Sequence, residues 1–247
     1  MKLANFREYI SQLNWLVVIF TLLVFTGLIK LGIWQTTRAI EKEQRLERIS
    51  QYQTQASLSL NELISLQNNN ENINDIPVSF SGTFDDKKIF LLDNQTHKGR
   101  LGYRVIQILN LNDSAVLVNL GWVEGFIDRS KLPKVTGVSG QQKINGNVRL
   151  IEKGMLLIDE VFTDPQWPLR VQAIEIDKFS QLISQKLLPF VVYLDTKEPL
   201  GFEKNWRPIV MPPEKHRAYA FQWFSLAAAW LMLMISASVW FSKNKHQ

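Results

Sequence analysis

The chain has 247 residues, a formal charge of +5 and no cysteine. The missing thiols exclude a disulfide framework, a cysteine nucleophile, a cysteine zinc site and covalent haem attachment. The cations gather beside two apolar runs, at Lys30, Arg38 and Lys42 and at Lys204, Arg207, Lys215 and Arg217, which fits anionic lipid head groups and not nucleic acid.

From Tyr9 to Ile29 no residue is charged. A helix of that length crosses the ~30 Å of hydrocarbon in a bilayer. The apolar core exceeds that of a signal peptide and no small-residue cleavage site follows, so a retained helix is predicted over 13–33, behind a cytoplasmic tail over 1–12. Trp15 and Trp34 mark its interfaces. Beyond it, residues 34–66 alternate charged positions with Ile40, Leu46 and Ile49, predicting a further helix. Gln67 to Asp75 is polar and without period, and reads as a linker.

Strand signals follow. Ile76, Val78, Phe80, Gly82 and Phe84 alternate with polar residues, and Asp85-Asp86 is read as a turn into Ile89–Leu92. Tyr103–Leu111 and Ala115–Val123 form a predicted pair across Asn112-Asp113. Ile144–Leu150 and Phe190–Leu194 are further strands. A short helix is predicted over Asp177–Leu187, capped by Asp177. Short connections favour antiparallel pairing. The second uncharged run, Ala218 to Ser242, predicts a second span over 218–241 and a tail over 242–247. The fold class is therefore an α+β membrane protein: two transmembrane helices flanking one mainly antiparallel β domain, 34–217, with one or two helices. The basic tails place both termini in the cytoplasm and the domain outside it.

Catalytic motifs are poorly represented. No phosphate loop or nucleophile elbow is present, and the three histidines, His97, His216 and His246, lie far apart. The acidic pairs Asp85-Asp86 and Asp159-Glu160 read as turn or surface residues. His216 stands apart. Pro212 and Pro213 suit a first helical turn, which sets His216, Tyr219, Ala220 and Trp223 at i, i+3, i+4 and i+7. This imidazole, beside aromatic rings and a small residue, is either an axial haem ligand or part of an interfacial anchor. Trp34 and Arg38 form a second cluster at i,i+4. Arg38 there has a lipid phosphate, a haem propionate or a carboxylate as candidate partners.

Several motifs together resemble the Surfeit locus protein one family of cytochrome c oxidase assembly factors. They are Leu31-Gly32-Ile33-Trp34-Gln35 with Arg38, Pro77-Val78 to Gly82-Thr83-Phe84, Leu91-Leu92-Asp93-Asn94 and Gly102-Tyr103. Val118-Asn119 with Gly121-Trp122-Val123, and Asn205-Trp206 with Pro213-Glu214-Lys215-His216, Tyr219-Ala220 and Gln222-Trp223-Phe224, complete the set. Leu120, Glu124 and Gln107-Ile108 depart from the family's pattern. The resemblance implies a non-enzymatic membrane protein that helps deliver or insert haem a into the large oxidase subunit. His216 would be the iron ligand, and Tyr219, Trp223, Trp34 and Arg38 would stand around the cofactor. Oxidase subunits and haem-synthesis or assembly proteins are the implied partners, and the bacterial inner membrane the implied location. The other reading open to the residues is a tethered sensory or scaffolding module that binds through its β domain.

Overall fold

The structure, a computed structural model, describes residues 15–151, 162 and 165–244. The tail expected over 1–12, Asp159-Glu160 and His246 lie outside the described residues. The chain divides into two compact units. One holds the two long helices and the other spans Ile49–Pro208.

In the helical unit, α1 runs from Trp15 to Gln53 and α4 from Pro213 to Asn244. Both are long and apolar enough to cross a membrane. Large apolar side chains point outward along them, including Leu16, Ile19, Phe20, Leu23, Phe221, Met232, Leu233 and Ile235. In water each such side chain would forgo roughly 1.5–3 kcal/mol of burial, a deficit that a hydrocarbon surround removes. At 39 residues, α1 is about 58 Å long at 1.5 Å per residue, well beyond one bilayer. The helix predicted for 34–66 is thus the continuation of α1 as far as Gln53. A break follows, and then a separate helix, α2 (Leu60–Asn68). The capping box explains the restart. Glu62 N–H donates to Ser59 Oγ at 3.4 Å, and Ser59 N–H donates to the Glu62 carboxylate at 2.7 Å. The Ser59 hydroxyl, which donates to the same carboxylate at 2.7 Å, and then the Ser59 N–H hold the Glu62 carboxyl below its usual range.

The other unit is built on strands β1 (Pro77–His97), β2 (Arg100–Asn110), β3 (Ala115–Glu124), β4 (Gly140–Leu150), β5 (Leu169–Val171) and β6 (Leu187–Leu194). Helix α3 (Ile176–Ile183) precedes β6. The sheet is mixed, which corrects the mainly antiparallel expectation. β3–β6 and β1–β5 pair in parallel and the other contacts are antiparallel. Parallel β3–β6 pairing needs a long return, and the 62 residues between Glu124 and Leu187 supply it through β4, β5 and α3. The ladder β2–β3–β6–β4–β1 closes because β1 also pairs with β2. Closure removes the exposed edges of these five strands.

β1 is one strand, not two. Asp85 and Asp86 fall in a bulge, where the register to β2 jumps between Phe84 and Ile89. The first half of β1 pairs with β4 and the second with β2, and the bulge provides the bend that lets one strand serve both. The predicted linker is likewise tied down. Gln67 and Asn68 belong to α2, Ile73 is buried, and Asp75 pairs with Arg149 at 3.2 Å. α3 starts one residue before Asp177, with Glu175 at the N-cap and no side-chain capping bond.

Two cores result. The first fills the interior of the closed sheet with Val78, Phe84, Leu91, Val105, Val118, Ile144, Phe190 and Val192. The second lies on the outer face, where α3 lays Phe179 on Phe90 with ring centroids 4.2 Å apart and nearly parallel planes. This explains why β3 is apolar on both faces from Ala115 to Val118.

Candidate functional site

The helix pair is organised by a repeat of three and four residues. On α1 the less exposed positions include Val18, Thr21, Phe25, Leu28, Gly32, Gln35, Ala39 and Lys42. On α4 they include Pro213, His216, Ala220, Trp223, Ala227, Trp230, Met234 and Ala237. This 3.5-residue spacing keeps one stripe of each helix facing its partner. The helices are antiparallel: Phe20 meets Trp230 at 6.1 Å between centroids, and Arg217 meets Glu43 at 2.6 Å. Small residues set the approach. A Cβ on Gly32 would stand 2.5 Å from the Phe224 ring. Trp230 Nε1 donates to the Thr21 carbonyl at 3.2 Å, which satisfies a polar group that would be costly in hydrocarbon.

His216 occupies this seam and is 8% exposed. Its Nδ1 lies 2.7 Å from Oε1 of Gln35. Taken as Oε1, the amide oxygen only accepts, so Nδ1 carries the proton and Nε2 the lone pair. Nε2 has no hydrogen-bond partner among the described residues. Anchoring one ring nitrogen while the other keeps its lone pair is the arrangement found in metal-bound imidazoles. Among the described residues no cluster of three or more metal-ligating side chains occurs. An axial haem ligand requires only one, and the chemistry of this imidazole fits that role.

The other predicted residues divide around it. Trp223 shares the seam with His216 and Ala220. Tyr219 sits at its margin, 43% exposed. Trp34 and Arg38 form their own outward group. The Arg38 guanidinium lies over the Trp34 ring at 5.8 Å and donates to Glu41 at 2.7 Å. Neither residue bonds to His216. Gln35 is the participant that sequence reasoning missed. Its signal was the seven-residue spacing from Leu28, which places it on the buried stripe. Trp206, from the Asn205-Trp206 motif, packs against Tyr193 at 5.1 Å in the sheet unit.

Two outwardly apolar helices, one on each side of a closed mixed sheet in the sequence, are consistent with a two-pass membrane protein carrying one folded domain. Within that class the chain belongs to the SURF1 family, whose sequence model matches residues 22–228. That family is associated with cytochrome oxidase assembly. No curated protein matches the chain in a sequence comparison.

Proposed function

We propose that this protein is a non-enzymatic, membrane-anchored factor in cytochrome c oxidase assembly that assists delivery or insertion of haem a into the large oxidase subunit. Family membership supports the assembly role. The observation that carries the haem reading is the anchoring of His216 Nδ1 by Gln35 at 2.7 Å. In this reading haem a is cargo, not a resident cofactor. His216 offers Nε2 to the iron, Trp223 and Tyr219 offer flat surfaces, and Trp34 and Arg38 stand at the rim. The helices lie in the bacterial cytoplasmic membrane with both termini cytoplasmic, and the sheet unit is periplasmic. Oxidase subunits and haem-synthesis or assembly proteins are the partners.

The test is made on full-length protein solubilised gently from cells that make haem a. A Soret band is expected, lost in His216→Ala and weakened in Gln35→Leu, and an oxidase subunit is expected to co-purify. A band untouched by His216→Ala removes the imidazole from the reading. A deletion strain with normal oxidase haem content removes the assembly role. If both helices can be exchanged for unrelated spans without loss, the tethered-module alternative is the correct one.

A further inference from the structure

We propose that the tip of the sheet unit formed by Leu101, Phe126 and Ile127 docks into the head-group region of an anionic lipid bilayer. The proposal rests on the membrane reading of α1 and α4 and not on haem.

Apolar exposure in the sheet unit is confined to one place. Among its described residues the exposed large apolar side chains are Leu101, Phe126 and Ile127, and Ile127 is fully exposed. Scattered single exposures are ordinary, whereas a group of them marks a contact surface. Strand pairing brings the three together. Gly102 pairs with Glu124, and Gly125 N–H donates to Leu101 O at 3.0 Å. Leu101 therefore lies beside the start of the loop that carries Phe126 and Ile127.

This loop is fastened on both sides of the two residues. Before them, Gly125 ties it to β2. After them, the Asp128 carboxylate accepts from Ser130 N–H at 3.0 Å and from the Ser130 hydroxyl at 2.7 Å. Arg129 then donates to buried Asp93, and its carbonyl accepts from Arg170 Nη1 at 3.0 Å. Fastened so, the loop keeps Phe126 and Ile127 turned outward, although leaving apolar surface in water is unfavourable.

Area, charge and tethering select a bilayer as the occupant. A stable protein interface takes roughly 800 Å² from each partner, and three side chains at a tip offer only a few hundred Å². Insertion among head groups needs no more than a small apolar tip flanked by cations. Residues 97–101 and 124–134 carry Lys98, Arg100, Arg129, Lys131 and Lys134 against Glu124 and Asp128. When Arg170, Asp93 and Glu203, which pair with this group, are included, cations still lead six to four. That excess suits anionic lipid. The tether is short. Glu203 O accepts from N–H of Trp122, five positions before Ile127. Pro213, the first residue of α4, follows Glu203 by ten positions, a reach of at most about 36 Å. The bilayer that holds α4 is thus present at high effective concentration, and docking needs no separate encounter.

The test uses the full-length chain reconstituted into vesicles, where the cysteine-free sequence allows one probe at a time. Ile127→Cys is labelled with nitrobenzoxadiazole. Asp113→Cys, exposed in the turn between β2 and β3, carries the same label as a reference. In vesicles containing phosphatidylglycerol the Ile127 probe is expected to emit to the blue of the reference. Lipids bearing a nitroxide near the head group should quench it and leave the reference unquenched. Vesicles of phosphatidylcholine alone should quench it less. Phe126→Ser should lower the docked-to-free ratio about tenfold, the share of one apolar side chain, without moving the unfolding midpoint. An Ile127 probe quenched no more than the reference overturns the proposal, as does equal quenching in the two lipids. A blue shift without lipid quenching, or one seen only when an oxidase subunit is added, assigns the tip to a protein and overturns it as well. A chain that fails to float with the vesicles overturns both this proposal and the membrane reading.

Discussion

His216 on α4 and Gln35 on α1 lie 181 positions apart in the chain and 2.7 Å apart in space. The bond links two residues that antiparallel packing brings to one level. It leaves a single imidazole nitrogen free to coordinate. Replacing Gln35 with Leu should lower haem retention by roughly 10–100-fold, the usual effect of losing the partner of a metal-bound imidazole. Gln35→Glu should retain the bond and the Soret band. Absorbance of the two purified variants at equal protein concentration checks this.

Gly32 and Phe224 set the spacing of the helix pair. Gly32→Ala should weaken the pairing by about 1–3 kcal/mol, the range for an overpacked contact. Phe224→Ala in the same chain should restore it, because the three atoms nearest the added methyl all belong to that ring. Since the chain has no native cysteine, a Cys pair at Thr21 and Trp230 can report the pairing. Cross-linking yield should fall in the single variant and recover in the double.

Phe90 lies between Phe179, stacked at 4.2 Å, and Trp167, edge-on at 5.1 Å, and is fully buried. Phe90→Ala should cost about 3–5 kcal/mol. Loss of α3 docking should accompany it. Denaturant titration with hydrogen exchange over residues 176–183 measures both effects.

The Glu203 carboxyl is held below its ordinary range by Lys98 first and His97 next. A carboxylate depressed in the folded state contributes stability that is complete above its unfolded value, 4.5. That contribution is lost as pH falls through the lower folded value. Acidification through this window should therefore modestly loosen residues 202–203 on β3, seen as faster amide exchange at Trp122, whose N–H bonds to Glu203 O. In Glu203→Gln that pH dependence should be absent.

Ser59→Ala should remove about 1 kcal/mol by unmaking the cap of α2. The change should be visible as fraying of Leu60–Asn68 in hydrogen exchange.

Much of the architecture was legible in the residues alone. Uncharged runs of membrane length report helices because lipid leaves the backbone no other partner. Alternation at Val78–Phe84 and Ile144–Leu150 reports strands because one face is buried. The hairpin of β2 and β3 across Asn112-Asp113 is a local event, and its signal is local. His216 was singled out by its own helix, through the spacing to Ala220 and Trp223. What no local pattern contains is which strand lies beside which. The parallel β3–β6 ladder, and the β1–β4 pairing that closes the sheet and makes Asp85-Asp86 a bend within one strand, follow from pairing between distant segments. The same holds for Gln35 beneath His216. The amino-acid order determined which elements form and which residue types stand along them. Tertiary packing alone decided their partners, because a hydrogen bond across a seam depends on register between segments that the chain brings together only once folded.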